Sequence, residues 1–169
     1  MNVTLRKVEL DEKQILANLL EKYDYEFSQY TGADINKLGL FGYSYLDHYW
    51  TDEGQRWAYF IEVDGKLAGF VMVKKHFSAE GREIDFCMAE FFVVYKYRGT
   101  GVAKKAFFDT LKLHKGRWEL YYTPKNITSA RFWHKTINEY TDGKYEFIKA
   151  YPTITYDDGT PADLFIFES

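Results

Sequence analysis

Glu90-Phe-Phe-Val-Val-Tyr-Lys-Tyr-Arg-Gly-Thr-Gly-Val-Ala-Lys-Lys-Ala106 is the stretch on which the reading of this chain turns. An apolar run that suits a buried strand meets a Gly-containing turn. A helical pattern follows, with Val102, Ala103, Ala106, Phe107, Thr110 and Leu111 on one stripe. Lys104, Lys105, Asp109 and Lys112 fall mostly on the other faces. The first N–H groups of a helix have no intrahelical partner, and the helix dipole adds partial positive charge there. Strand, turn and helix N-terminus together make a phosphate site; otherwise the turn is simple backbone punctuation between strand and helix. Gly99 and Gly101 let backbone approach an anion, and Arg98, Lys104 and Lys105 add charge beside it.

Two other phosphate motifs fail on these residues. The turn lacks the G-x-x-x-x-G-K-[ST] of a Walker loop, and Lys104 stands where a dinucleotide fingerprint needs Gly or Ala. A dinucleotide fold also begins with its βαβ unit. Here the turn sits past mid-chain, behind a hairpin: β-rich runs flank Asp64-Gly65, and Asp-Gly suits a type I′ turn.

Outward from there, residues 3–8 predict a short strand. Asp11 offers an N-cap for a helix carrying Ile15, Leu16, Leu19 and Leu20 and running to about Phe27. Residues 31–50 predict irregular chain with a short helix near Tyr45 to Tyr49. A strand over 84–95 follows a turn around Gly81. A strand over 118–122 precedes a helix capped by Asn126, and strands over 145–151 and 164–167 close the chain around Asp158-Gly159. The order is β-α-(α)-β-β-β-α-β-α-β-β, an α/β (α+β) layer fold.

Bulk properties bound the rest. The 169 residues suit one domain, 1–169, and carry 46% hydrophobic and 28% charged residues. The aromatic share is high at 20%, with fifteen Tyr and four Trp. A formal charge of −3 does not favour nucleic acid as a partner. Four lysines, Lys104, Lys105, Lys112 and Lys115, are all that favours it. A single cysteine, Cys87, excludes an internal disulfide framework and a thiol zinc site, and no metal is expected. No stretch reaches the roughly 18 apolar residues of a membrane span, and no signal-peptide core opens the chain. The chain reads as cytoplasmic.

Two blocks carry a specific resemblance. Arg98-Gly-Thr-Gly101-Val-Ala103 resembles the [QR]-x-x-G-x-[GA] cofactor motif of the GNAT N-acetyltransferase superfamily. Asn126-Ile-Thr-Ser129-Ala-Arg-Phe132-Trp133-His-Lys135 resembles its N-x-x-[AS]-x-x-F-[YW]-x-K segment. The order of elements agrees over nearly the whole chain. The E-F-F-V, G-x-W-E and F-W features are similar to a bacterial branch known as predicted acetyltransferases.

The resemblance implies a mixed, mostly antiparallel sheet flanked by helices, with splayed central strands. Acetyl-CoA would lie in the splay. Its pantetheine arm would meet main chain at Phe92, Val93 and Val94, and its pyrophosphate the N–H groups of Gly99, Thr100, Gly101, Val102 and Ala103. Arg98, Lys104, Asn126, Ser129, Phe132 and Trp133 complete the cofactor side. The acceptor, a small-molecule amine, would attack the thioester directly, which requires a base, an oxyanion donor and a proton for the thiolate. A backbone N–H at Val93 or Val94 would serve the oxyanion. Glu90 is the candidate base, with Asp85, Glu119 and His134 as competitors; otherwise Glu90 is a solvent-facing strand carboxylate. Many members place Tyr where this chain has Trp133, and indole is a donor without practical acidity. The proton then comes from Tyr121, Tyr122, another tyrosine or water. Trp133 itself fits ordinary helix packing, and Cys87 a buried small hydrophobe.

The acceptor site of the superfamily is built by the first helices and their loop. Here that stretch is 23–50, with Tyr23, Tyr25, Phe27, Tyr30, Phe41, Tyr43 and Tyr45 among carboxylates that include Asp24, Glu26, Asp34 and Asp47. Tyr25, Glu26, Tyr30 and Asp34 are the candidate contacts to a cationic amine; otherwise the stretch is a solvated acidic loop. By analogy with relatives that dimerise, the aromatic C-terminal strands are candidates for a homodimer contact. The alternative to an enzyme is an acyl-CoA-binding sensor or partner module with weak or no catalysis.

Overall fold

A computed structural model describes residues 1–75 and 83–169. The expected turn around Gly81 lies outside the described residues. The strands are β1 (Val3–Lys7), β2 (Arg56–Val63), β3 (Lys66–Lys75), β4 (Phe86–Val93), β5 (Arg117–Tyr122), β6 (Tyr145–Thr155) and β7 (Pro161–Glu168). The helices are α1 (Lys13–Thr31), α2 (His48–Thr51), α3 (Val102–Leu113) and α4 (Ile127–Thr141). The strands form one sheet in the order β1-β2-β3-β4-β5-β7-β6. Every pair is antiparallel except β4 with β5.

Local chemistry explains the elements. Asp64 and Gly65 both hold positive φ, 50° and 74°, the type I′ geometry that matches strand twist and closes β2 onto β3. α1 outruns its sequence-based end by four residues and stops at Gly32, whose left-handed φ of 71° lets its N–H bond Ser28 O at 2.8 Å. It also starts later than Asp11 would cap it, because a 3-10 turn over Leu10–Glu12 leads in. There Glu12 accepts the Glu9 N–H at 3.2 Å. Asn126 Oδ1 accepts the Ser129 N–H at 2.9 Å and so caps α4. The stripe read from α3 is buried at Val102, Ala106, Phe107, Thr110 and Leu111, with Ala103 at its edge.

Two apolar layers sandwich the sheet. α3 and α4 bury Phe107, Leu111, Trp133 and Ile137 on one face against Val71, Val73, Trp118 and Phe165. On the other face α1 buries Leu16, Leu19 and Leu20 with α2's Tyr49 against Phe60, Phe70 and Met72. Gly69 permits a close approach of β3 and β4: a Cβ there would stand 2.0 Å from Phe92 O.

Candidate active site

Two irregularities of β4 make the site. The first is a fork. β4 pairs with β5 only at Phe86–Trp118 and Cys87–Glu119. Beyond those residues the strands run on to Val93 and Tyr122 without pairing each other. The second is a bulge. Met72 pairs with Glu90 and Val73 with Met88, so Ala89 has no partner on β3. Side chains alternate along a regular strand, and one extra residue reverses that alternation. Phe86 and Met88 face the α3/α4 layer; after the bulge Phe91 and Val93 take that face. Ala89, Phe92 and Val94 face the α1 layer. The bulge therefore turns Glu90 towards α1 instead of burying it under α3.

On that side Glu90 lines a cavity of about 570 Å³. Tyr43 Oη donates to Glu90 Oε1 at 3.0 Å. The carboxyl is crowded by protein, and desolvation pushes it up to about 7, while the Tyr23 and Tyr43 hydroxyls and the Lys74 charge pull it down. Asp24 lines the same cavity and is raised to about 6 by burial and by Glu21. Tyr121 reaches the cavity from β5, and burial holds its hydroxyl protonated, well above the usual tyrosine range.

The fork side offers a cradle for an extended, anionic ligand. Val94 N–H donates to Ala68 O at 2.7 Å, so it is committed to β3. Antiparallel alternation then points the backbone groups of Phe91 and Val93 into the fork. Of the two oxyanion donors weighed from sequence, only Val93 N–H keeps that direction. Past β4, Gly99 and Gly101 hold φ of 75° and 90° and have open space where a Cβ would stand. The α3 ladder begins with Lys105 N–H to Gly101 O at 3.0 Å, which leaves the preceding helical N–H groups, Val102 to Lys104, outside it. These residues fit the pantetheine and pyrophosphate of acetyl-CoA. Phe132 stacks on Phe91 beside the fork at 6.1 Å between ring centres.

The other residues singled out from sequence are placed as follows. Arg98 folds back: Nε donates to Val93 O at 2.7 Å and its far nitrogen pairs with Glu26 at 2.8 Å. Thr100 Oγ1 bonds Tyr97 O at 2.6 Å, and Lys104 pairs with Glu139 at 2.8 Å. Trp133 is buried among Phe91, Phe107 and Phe132, at ring distances of 5.3, 5.2 and 4.7 Å. Tyr122 lies on the opposite face of β5 from Tyr121, 3.0 Å from His134 Nε2 and 3.5 Å from Asp163 Oδ2. That bond occupies His134 away from the cavity. Asp85 accepts the Arg117 N–H at 2.8 Å below the fork, and Glu119 is buried opposite Cys87. Burial pushes the Cys87 thiol up to about 12, so it is no thiolate nucleophile at neutral pH.

Of the four acceptor contacts named from sequence, Asp34 lines the Glu90 cavity. Tyr25 is 73% exposed and, with Glu26, lines a groove on the outer side of α1. Tyr30 packs against Phe27, 6.1 Å away. Helical spacing explains the selection: Asp24, Phe27 and Thr31, at i, i+3 and i+7, share the face that meets the cavity. Tyr25 and Glu26 sit one and two steps around the helix. Tyr43 was legible only as one aromatic among many. Lys74, Arg56 and Asp157, also on the cavity wall, had no local signal in the sequence.

Comparison with known proteins agrees with this geometry. The sequence profile of the Acetyltransferase (GNAT) family matches residues 18–137, and the chain belongs to that family. No curated protein sequence matches it. An acetyltransferase from Thermus thermophilus superposes with a TM-score of 0.64 at 14% identity, over 100% of this chain and 98% of its own. NAA60 from Arabidopsis thaliana, solved in complex with acetyl-CoA, gives 0.62 at 14% identity over 99% and 98%. Ard1 from Thermoplasma volcanium gives 0.62 at 16% over 99% and 98%. At these identities the likeness is one of fold. Family membership makes the chain an acetyltransferase that takes its acetyl group from acetyl-CoA. Among the described residues no helix is long and apolar enough to cross a membrane.

Proposed function

We propose that this protein transfers the acetyl group of acetyl-CoA to a primary amine by direct attack, with Glu90 as the base. The observation that carries this reading is the position of Glu90: turned by the Ala89 bulge into an aromatic and acidic cavity beside the fork, and poised near neutrality. A general base works best when its pKa lies near the operating pH. An amine arrives as an ammonium ion, drawn by Asp24, Asp34 and Glu90. Glu90 takes its proton directly or through one water, and the neutral nitrogen attacks the thioester carbon. Val93 N–H, facing the fork, stabilises charge growing on the thioester oxygen. Tyr121, protonated and on the same cavity wall, donates its proton to the departing sulfur and regains one from the nitrogen as the amide forms, giving the amide and the free CoA thiol. Trp133 takes no part in the chemistry and packs α4 on the sheet.

The test is release of free CoA thiol from acetyl-CoA against a broad amine panel, with Glu90→Gln beside the wild type. Amine-dependent release that the variant loses supports the reading. CoA binding without release on any amine would overturn it in favour of a binding module.

A further inference from the structure

The cavity is bipolar. Carboxylates enter it from α1, from the loop after α1 and from the β6–β7 loop, at Asp24, Asp34 and Asp157. The floor is different. Arg56 and Lys74 are direct cross-strand partners on β2 and β3, and both line the cavity. Their strand parity matches Ala58, Phe60, Phe70 and Met72, all on the α1 face of the sheet. Two cations therefore stand side by side on the same face as Glu90.

Their distance from Glu90 follows from register. Met72 is the β3 partner of Glu90, and Lys74 is the partner of Cys87, where β4 and β5 are still joined. Two residues along a strand are roughly 7 Å. The cations thus lie towards the closed end of the fork, and Val93 and the α3 N-terminus lie towards its open end. Glu90 stands between. The Lys74 charge reaches both Glu90 and Cys87. Arg56 is held in place by Asp52 at 3.2 Å and by the rings of Tyr45 and Tyr49, 5.9 and 5.7 Å from its guanidinium carbon. A guanidinium carries five N–H donors in a planar fork, and Asp52 takes the one at Nε.

A plain alkylamine or polyamine has no use for this end of the cavity and would be repelled by it. We propose that the acceptor is a zwitterion of amino-acid type, its amine at Glu90 and its anionic group bound by Lys74 and Arg56. The anion points away from the cofactor, so the amine is presented to the fork in one orientation. The inference rests on the acetyl-transfer reading for the identity of the amine end. The anion end stands on the cavity alone.

The experiment pairs four L-amino acids (phenylalanine, methionine, lysine and glutamate) with their carboxamides, which keep the amine and remove the α-carboxylate. Turnover is read as kcat/KM from CoA release. Binding of each compound to the CoA-saturated protein is measured by calorimetry. The expected result is a preference of at least about tenfold for the acid in at least one pair, expressed mainly in KM. The amide's lower amine pKa favours the amide, so such a preference cannot come from amine protonation. Lys74→Gln should bring the acid-to-amide ratio towards one, and Lys74→Arg should keep it. Acid and amide turned over or bound alike, or a ratio that Lys74→Gln leaves unchanged, overturns the zwitterion. Lys74-dependent binding without turnover supports the anion site and overturns the transferase reading. Turnover of amines indifferent to the carboxylate does the reverse. Neither turnover nor binding in any pair overturns both.

Discussion

Tyr43 Oη donates a hydrogen bond of 3.0 Å to Glu90 Oε1, joining the irregular chain after α1 to the strand that forms the fork. A hydrogen bond to the ionised form of a carboxyl favours that form and opposes the desolvation that raises Glu90. Tyr43→Phe removes the donor while keeping the ring. The acid limb of the kcat profile should therefore move to higher pH, by about half to one unit. A limb that stays in place would show that Tyr43 only packs.

Glu90→Gln should lower kcat by about 10²–10⁴-fold, the usual range for a lost general base. In the wild type kcat should rise with pH through about 7 as the carboxyl ionises, and the variant should lose that limb. An unchanged limb would assign the base elsewhere.

The same carboxyl has a stability signature of opposite sense. Its pKa is raised from 4.5 in the open chain to about 7 in the fold, so the fold favours the protonated form. The cost of ionising it is absent below about pH 4.5, grows between the two values, and is complete above 7. Glu90→Gln should stabilise the protein at pH 8, by at most about 3 kcal/mol, and do little at pH 4. Urea unfolding at the two pH values checks this.

Gly69→Ala should be severely destabilising, by about 3 kcal/mol or more, because its Cβ would meet Phe92 O at 2.0 Å and backbone cannot move aside cheaply. Gly101→Val tests a different property. Open space surrounds its Cβ, but φ is 90° and the N–H groups beside it face the proposed phosphates. It should raise the acetyl-CoA Kd more than tenfold, read by calorimetry on protein that remains folded by circular dichroism. Normal affinity there would misplace the cofactor.

Trp133→Ala should cost about 3–5 kcal/mol, since the ring fills the space between Phe91, Phe107 and Phe132. Trp133→Phe should retain most of the turnover. A variant that is stable but inactive would place the indole in the chemistry.

The sequence by itself determined what depends on neighbours along the chain. The Asp64-Gly65 hairpin, the α3 stripe, the Asn126 cap and the Gly99–Ala103 turn each rest on local dihedral preference, periodicity or a short hydrogen bond. With the two motif blocks these settled the family and the cofactor. Only the tertiary structure decided which residues meet in the cavity beside the fork. The Ala89 bulge has no composition signal, yet it selects the face on which Glu90 lies. Helix phase brought Asp24 into the cavity and left Tyr25 outside, and a contact 47 residues apart joined Tyr43 to Glu90. Register across β2, β3 and β4 set Arg56 and Lys74 beyond Glu90. Local propensity cannot encode such placements, because each is fixed by which strands pair and in what phase.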